Sequence, residues 1–137
     1  MCGIGGYLGD SRRPRPLDEA ALSLRHRGPD AQGAVRFQTA EGLPGYLAAA
    51  RLGILDPSPA AQQPMASTDG KLLLVYNGEI YNHRQLRRAL ESDGAQFRSH
   101  SDTEVVLEGY RLHGASLWAR LRGMFALSLW DGHRDVL

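Results

Sequence analysis

An unbroken apolar run, Leu72-Leu73-Leu74-Val75-Tyr76, constrains the fold of this chain more than any other feature. Polar residues do not alternate with the apolar ones, as they would in a strand that keeps one face in water. The run therefore predicts a β-strand that is covered on both faces, and we expect it to lie in the interior.

Other apolar segments predict the remaining strands. They lie at residues 3–8, 34–38, 46–52 and 124–130, and the last of these is again apolar on both faces. A proline-rich connection over residues 57–64 separates the early strands from the central one. Near the end, Asp131-Gly132 is a hairpin-turn dipeptide, and Val136 is expected to begin the partner strand.

Three helices are predicted from apolar spacing and from capping residues. Residues 17–24 carry apolar side chains at helical spacing. Asn82 with Gln85, and Ser101 with Glu104, each match the capping-box pattern that opens a helix. Glycines at positions 94 and 114 can end these two helices, and a short helical turn is expected around residues 117–121.

The order of these elements indicates the fold class. Strands come first, two central helices follow, and strands return, without the regular alternation that builds a parallel sheet. We therefore predict an α+β fold with largely antiparallel sheets. At 137 residues the chain has the length of one domain, so residues 1–137 are treated as a single domain.

Composition argues against several functional classes. The net charge is +1 and no segment is dominated by positive charge, which argues against nucleic-acid binding. The single cysteine excludes an internal disulfide and cysteine-rich zinc sites, and makes the cytoplasm the expected location. The five histidines lack metal-ligand spacing, so no metal is predicted. No leader opens the chain, and no apolar run approaches the ~20 residues that span a bilayer, so no membrane partner is expected.

The single cysteine, Cys2, is the first candidate for chemistry because of its position. If Met1 is removed, as is common before a small residue, Cys2 carries both a thiol and a free α-amine. An α-amine titrates near ~7.7–8.0 and a free thiol near ~8.5, so one residue would supply a nucleophile and a base suited to neutral pH. Position alone does not establish this role, because some residue must stand second.

Asn77-Gly78-Glu79 follows the central strand and has two interpretations. Asn-Gly is a common tight-turn dipeptide, and from these residues alone the turn is favoured. Alternatively, the Asn77 side-chain amide and the Gly78 backbone N–H could form an oxyanion hole, which needs two donors aimed at a tetrahedral intermediate.

Arg51 and Asp102 each admit a structural and a functional interpretation. Arg51 lies in an apolar stretch and is either a surface residue at a strand end or a clamp for a carboxylate. Asp102 lies inside the second capping box, where it either favours the helix N-terminus or pairs with a substrate ammonium. The charged segment at residues 25–30 cannot continue a helix and, taken alone, is a solvated loop.

Seven ordered segments together resemble the class II glutamine amidotransferase domains of the asparagine synthetase family. They are Met1-Cys2-Gly3-Ile4, residues 25–30 (RHRGPD), residues 51–56 (RLGILD), Gln63-Pro64-Met65, residues 76–82 (YNGEIYN), residues 101–104 (SDTE) and residues 123–126 (GMFA). The segments extend from the first residue almost to the last. Tyr76 before Asn77, together with Gly28-Pro29-Asp30, matches the synthetase branch rather than the branches that feed sugar-phosphate or purine pathways.

This resemblance implies an N-terminal-nucleophile hydrolase fold, a four-layer αββα sandwich of antiparallel sheets. It implies that Cys2 attacks the side-chain amide of L-glutamine, forms a γ-glutamyl thioester and releases ammonia. In the family, ammonia passes to a C-terminal synthetase domain that uses ATP, Mg²⁺ and aspartate to form asparagine. The Ser-Gly-Gly-x-Asp-Ser loop of such a domain does not occur in this sequence, so no cofactor is expected in these residues.

The resemblance also implies roles for individual residues. The catalytic residues are Cys2, whose own amine moves protons, and Asn77 and Gly78, which hold the oxyanion. The substrate-binding residues are Arg51 at the α-carboxylate, Glu79 and Asp102 at the α-ammonium, and the main-chain groups around Leu52, Ile54 and Leu55.

The chain is shorter than the domains it resembles, so we expect the fold to be incomplete at its C-terminal end and its independent stability to be in question. Three functional interpretations stay open. The chain is a glutaminase that supplies ammonia for asparagine formation, a non-catalytic or regulatory amidotransferase-like domain, or the glutaminase half of an enzyme with a different acceptor. A homodimer is one arrangement open to the parent protein.

Overall fold

The computed structural model describes residues 2–9 and 17–137, which form six strands and three α-helices. The strands are β1 (Gly3–Leu8), β2 (Ala31–Gln38), β3 (Pro44–Arg51), β4 (Met65–Ala66), β5 (Leu72–Ile80) and β6 (Gly123–Asp131). The helices are α1 (Leu17–Ser23), α2 (His83–Ser92) and α3 (Asp102–His113), with 3-10 turns at Pro59–Ala61 and Gly114–Arg120.

The strands form two antiparallel sheets, which confirms the predicted α+β class. The first sheet has the order β1-β3-β2 and the second the order β4-β5-β6. In the first sheet, Gly3 lies opposite Ala50, and Ala31 lies opposite Arg51. The start of β1 and the end of β3 therefore meet at one end of the sheet.

Two hydrophobic clusters hold the layers together. The inter-sheet cluster contains the buried residues Leu47, Ala49, Leu73, Val75 and Trp130. The helix-side cluster packs the second sheet against α2 and α3, and includes Leu74, Tyr76, Leu86, Leu107 and Leu117. Successive side chains of β5 enter opposite clusters, which is why its apolar run shows no alternation. Full burial of each such side chain contributes roughly 1.5–3 kcal/mol.

With α1 packed against β2 and β3 on the outer face of the first sheet, the layers follow the predicted αββα order. None of the described helices is long and apolar enough to cross a bilayer.

Helix α3 begins and ends as predicted. The Ser101 hydroxyl accepts a hydrogen bond from the Glu104 N–H at 3.3 Å, and Gly114 follows the helix with a φ of +58°. The second half of the capping box is absent. The Glu104 carboxylate instead accepts the backbone N–H groups of Arg98 and Ser99, at 2.9 and 2.7 Å.

The capping box predicted at the start of α2 is wrong. Asn82 precedes the helix, but its side chain makes no capping bond. Its amide nitrogen donates to the Arg120 carbonyl at 2.9 Å, and its oxygen accepts from the Arg122 N–H at 3.0 Å. The Asn82 side chain therefore bonds to backbone groups that are distant in the sequence rather than to the N-terminus of α2.

Some strand boundaries differ from the predicted ones. β2 begins at residue 31 rather than 34, and β3 covers residues 44–51 rather than 46–52. β4 has no predicted counterpart, because a strand of two residues leaves no detectable pattern. The turn after β6 is confirmed, since Asp131 forms an antiparallel bridge with Val136.

Candidate active site

A cavity of about 270 Å³ lies near the meeting point of β1 and β3. All nine residues predicted for the site line it: Cys2, Arg51, Leu52, Ile54, Leu55, Asn77, Gly78, Glu79 and Asp102. Its other lining residues are Asp56, Gln63, Tyr76, Ser101, Thr103 and Met124. The fold thus brings segments from the beginning, middle and later part of the chain to one place, although the individual roles stay predictions.

The Cys2 thiol lies just before β1 and beside the segment that follows β3. Its sulfur accepts the Leu52 N–H at 3.4 Å and lies 3.9 Å from the Leu52 carbonyl oxygen. The residue is half-buried, and these contacts hold the sulfur at the cavity wall. Met1 lies outside the described residues, so its removal stays a prediction.

Asn77 and Gly78 lie inside β5, so the favoured tight-turn interpretation is wrong. In the ladder with β6, Asn77 is opposite Ala126 and Gly78 is opposite Phe125. The glycine is required by close approach, because a Cβ at position 78 would lie 2.2 Å from the Met124 carbonyl oxygen. Long-range strand pairing has overridden the local turn preference of Asn-Gly.

The N–H of Gly78 is directed to the edge of β5 that faces away from β6. On this edge the Tyr76 N–H donates to the Gln63 side-chain oxygen at 2.7 Å, and the Ile80 N–H donates to Asp102 Oδ2 at 2.9 Å. Backbone donors of a strand alternate between its edges, so the Gly78 N–H between these two points the same way. No side chain in residues 2–9 and 17–137 accepts it. It is a fixed donor on a strand segment that lines the cavity.

The Asn77 side chain is a second polar group at this position. Its Oδ1 is buried and has no hydrogen-bond partner within the described part of the chain. Leaving a buried polar atom unsatisfied costs about 1–3 kcal/mol, so such atoms call for an explanation beyond stability. Because the same amide also carries an –NH₂ donor, the group can bind a polar atom in the cavity.

Arg51 is 8% exposed, so the interpretation as a surface residue is wrong. One guanidinium nitrogen lies 3.4 Å from the Ser58 carbonyl, to which it donates, and further N–H groups can serve a bound anion. Nearby Asp56 accepts the Ser58 N–H at 2.8 Å and the His100 N–H at 2.7 Å. Hydrogen bonds from Ser58 first and then His100, aided by the Arg51 charge, lower the pKa of Asp56 to about 2. The Asp56 carboxylate is therefore an anion beside Arg51.

Asp102 is the first residue of α3 and is 4% exposed. Its Oδ2 accepts the Tyr76 hydroxyl at 2.8 Å and the Ile80 N–H at 2.9 Å, so the carboxylate joins α3 to β5. Burial, followed by the charge of Asp102, raises the pKa of the Tyr76 hydroxyl, which keeps it protonated as a donor. A negative charge here also suits the helix N-terminus, so both interpretations of Asp102 are compatible.

The most exposed residues that line the cavity are largely apolar, and the charged loop is bonded to the segment that carries one of them. Ile54 is 75% exposed and Met124 is 72% exposed, while the exposed Glu79 adds one carboxylate. Asp30 Oδ2 accepts the Gly53 N–H at 2.9 Å, which ties the loop at residues 25–30 to the segment after β3. The loop therefore has a structural connection to the site, a link that its composition alone does not reveal.

Four polar residues of the site have no role in the sequence-based prediction: Asp56, Gln63, Tyr76 and Thr103. All four belong to segments that carry the resemblance, and that membership is the signal that could have found them. Each has at least one hydrogen-bond partner far away in the sequence, so that contact becomes visible only in the folded chain.

The described residues contain no group of three or more His, Cys, Asp or Glu side chains arranged as metal ligands. The expectation that these residues need no metal or cofactor stays a prediction.

Comparisons with known proteins agree on one family. A family model described as glutamine amidotransferase domain matches residues 1–137. Glutamine-hydrolysing asparagine synthetase 3 of Arabidopsis thaliana is 41% identical over 136 residues, which cover 96% of this chain and 22% of the relative. A probable glutamine-hydrolysing asparagine synthetase of Schizosaccharomyces pombe is 46% identical over 124 residues, covering 90% of this chain and 21% of the relative. The amidase chyE of Penicillium rubens is 37% identical and matches 100% of this chain and 22% of its own length.

Solved structures share the fold at lower identity. The structure of an allosteric regulatory enzyme of purine biosynthesis has a TM-score of 0.74 at 21% identity, over 96% of this chain and 36% of that one. Glutamine phosphoribosylpyrophosphate amidotransferase from B. subtilis has a TM-score of 0.66 at 23% identity, over 81% of this chain and 31% of that one. These similarities confirm the predicted N-terminal-nucleophile fold.

Proposed function

The chain belongs to the glutamine amidotransferase domain family, and from this premise we propose that it hydrolyses the side-chain amide of L-glutamine to glutamate and ammonia. The observation that carries the proposal is the shared cavity, which places the Cys2 thiol together with the Asn77 amide and the Gly78 segment. A nucleophile and two aimed donors are the groups that acyl transfer requires.

In the proposed reaction, Cys2 Sγ attacks the amide carbon of glutamine. The thiol proton passes to the α-amine that removal of Met1 leaves on Cys2, and the amine then protonates the leaving nitrogen, which departs as ammonia. Water attacks the resulting γ-glutamyl thioester, releases glutamate and restores the thiol. The amine is suited to both transfers because its ordinary pKa lies near ~7.7–8.0.

The negative oxygen of each tetrahedral intermediate needs donors that are in place before the reaction. We assign this role to the Gly78 N–H and the Asn77 side-chain amide. The proposal is supported by the direction of the Gly78 N–H and by the position of Asn77, whose side-chain –NH₂ can donate and which lines the same cavity as Cys2. Removing one such donor typically lowers kcat by about 10²–10³-fold.

The proposed binding of the substrate's amino-acid end uses opposite charges in the cavity. Arg51 would bind the α-carboxylate, because its planar guanidinium can donate two parallel hydrogen bonds. Asp102 and Glu79 would bind the α-ammonium, while main-chain groups around Leu52, Ile54 and Leu55 line the glutamine pocket. The support is that all six residues line one cavity with Cys2.

The chain spans about a fifth of the length of the curated relatives it matches. We propose that its ammonia serves a C-terminal synthetase domain of a parent protein, where ATP and Mg²⁺ would drive asparagine formation. The similarity to glutamine-hydrolysing asparagine synthetases supports aspartate as the acceptor. A cytoplasmic location, a homodimeric parent and the absence of a nucleic-acid partner remain part of this proposal.

One observation favours a second candidate for the acceptor. The amidase chyE matches the whole chain at 37% identity, close to the values for the synthetases. Glutamine hydrolysis would then be the same, but the ammonia would amidate a different carboxylate.

The proposal is tested by treating the purified chain with a diazoketone analogue of glutamine and measuring its intact mass. We expect one adduct, loss of Met1 from the starting mass, and no adduct in Cys2→Ala. The variant should still bind L-glutamine while releasing no ammonia from it. Unchanged ammonia release by Cys2→Ala would overturn the mechanism, and an unmodified wild-type chain that lacks Met1 would favour the non-catalytic interpretation.

A further inference from the structure

We propose that Tyr76 is a positioning residue, whose hydroxyl orients the Asp102 carboxylate toward the α-ammonium of the substrate and so sets the preference for α-amino substrates. The inference deepens the proposed function and rests on it, because it concerns a group that would bind glutamine. Tyr76 lines the same cavity as Asp102 but belongs to a different element.

The hydrogen bonds to Asp102 fix the direction of its carboxylate. Both donors, the Tyr76 hydroxyl at 2.8 Å and the Ile80 N–H at 2.9 Å, reach the same oxygen, Oδ2. An ionised carboxylate has about four acceptor positions on two oxygens. Two donors on one oxygen therefore fix the plane of the group and leave Oδ1 to bind a cation.

Packing alone explains the Tyr76 ring but not its hydroxyl. The residue is 2% exposed and belongs to the helix-side cluster, and its ring stacks against Phe125 with centroids 6.4 Å apart. Phenylalanine would fill the same space without placing a polar atom in an apolar cluster. The hydroxyl is accounted for by its bond to Asp102, which satisfies its need for a partner.

The charges around the hydroxyl keep it a donor. Burial acts first, and the nearby acidic groups of Asp102, Glu79 and Cys2 act with it, all raising the pKa of Tyr76. The hydroxyl therefore stays protonated whenever Asp102 is ionised. A donor that cannot lose its proton holds the carboxylate in one orientation across the working pH range.

The predicted consequence is selectivity between two ligands that differ in one group. L-Glutamine carries the α-ammonium, whereas 4-carbamoylbutanoate has the same amide and carboxylate but no amine. If Asp102 Oδ1 is fixed in position, the protein should bind L-glutamine more tightly than 4-carbamoylbutanoate. If the Asp102 carboxylate can rotate, this difference in affinity should become smaller.

The experiment measures the dissociation constants of both ligands by calorimetry in the full chain carrying Cys2→Ala, which prevents turnover. Adding Tyr76→Phe should weaken L-glutamine binding by about 10-fold, because a carboxylate that is free to rotate must be ordered when it binds the α-ammonium. Binding of 4-carbamoylbutanoate should stay within about twofold, since it has no group for Asp102 to bind.

Tyr110, another largely buried tyrosine, offers a matched control. Its hydroxyl donates a 3.0 Å hydrogen bond to Asp131 Oδ2, and neither residue lines the cavity. Tyr110→Phe should leave both dissociation constants unchanged. If Tyr76→Phe does not fold, Tyr76→Leu provides a second comparison, because it also lacks the hydroxyl and is smaller than the native ring. In a chain that also carries Asp102→Asn, the tyrosine replacement should add no further loss of selectivity.

The outcomes separate the two proposals. Equal weakening of both ligands by Tyr76→Phe, or no weakening of either, overturns the positioning role while glutamine binding by the Cys2→Ala chain stands. If the Cys2→Ala chain itself binds neither ligand, the proposed function fails before Tyr76 is changed, and the inference fails with it.

Discussion

Asp56 joins two segments of the cavity wall through a single buried carboxylate. One of its oxygens accepts an N–H from the segment after β3, and the other accepts an N–H from the segment before α3. Its negative charge also lies near Arg51, the residue proposed to bind the substrate carboxylate. A change at this one side chain should therefore affect both stability and binding.

We expect Asp56→Asn to remove part of the acid sensitivity of folding. The pKa of Asp56 is lowered from 3.8 to about 2, so its stabilisation is fully present above 3.8 and is lost as the pH falls toward 2. Urea unfolding across this pH range should show a free energy that falls less steeply in the variant. The difference above pH 4 should be on the order of 1–2 kcal/mol.

The control for this prediction is Asp69→Asn. Asp69 has a similarly lowered pKa of about 2, but it lies in an exposed turn and makes no contact with the cavity. Both variants should change acid stability, whereas only Asp56→Asn should weaken L-glutamine binding. Parallel stability curves for wild type and Asp56→Asn would contradict the assignment.

At the level of elements, β5 is the strand on which the proposed chemistry depends, and Gly78 determines how closely it approaches β6. A methyl group at this position would lie 2.2 Å from the Met124 carbonyl oxygen and 2.5 Å from Phe125 Cα. Both neighbours are backbone atoms, so the two strands cannot relieve the contact by a rotamer change.

Gly78→Ala should destabilise the chain by more than about 2 kcal/mol, through the loss of close strand pairing. Gly70→Ala is the matched control, because Gly70 has a φ of +69° but no atom within 4 Å of the place that an added methyl group would take. It should cost only about 1 kcal/mol, the penalty for the left-handed backbone. Urea unfolding of both variants measures the difference, and equal losses would show that space at position 78 is not limiting.

What the sequence predicts at this scale depends on whether the decisive contacts are local. The Ser101 cap of α3 and the apolar run of β5 are local patterns, and both predictions are confirmed. The Asn77-Gly78 turn and the Asn82 cap are also local patterns, but there long-range partners in β6 and the segment before it prevail. Neither partner can be identified from the residues around the motif.

At the level of the whole molecule, the candidate site is divided between the two sheets. Cys2 directly precedes the first strand of the first sheet and Arg51 ends its central strand, whereas Asn77 and Gly78 belong to the second sheet. The inter-sheet cluster therefore sets the position of the nucleophile relative to the proposed oxyanion donors. The antiparallel α+β class follows from the order of elements, but the stacking of these sheets is a long-range property that only the family resemblance predicted.

Leu47→Ala should make the position of Cys2 relative to the proposed oxyanion donors less well fixed. Leu47 is 0% exposed in the inter-sheet cluster, and its truncation is expected to cost about 2–5 kcal/mol. Leu107→Ala is the matched control, since Leu107 is equally buried but lies in the helix-side cluster. At a temperature where both variants remain folded, modification of Cys2 by the diazoketone should slow more in Leu47→Ala. The same rate in both would indicate that sheet packing does not tune the site.

The direction of the Gly78 N–H also bears on how this chemistry can disappear in descent. A donor that belongs to the main chain survives every replacement except proline, and at this position even alanine disturbs the pairing of two strands. Cys2 and Asn77 would act through their side chains, so a substitution at either position removes the reacting group itself. We therefore expect descendants of this fold that no longer hydrolyse glutamine to have substitutions at Cys2 and Asn77 but to retain the glycine at position 78.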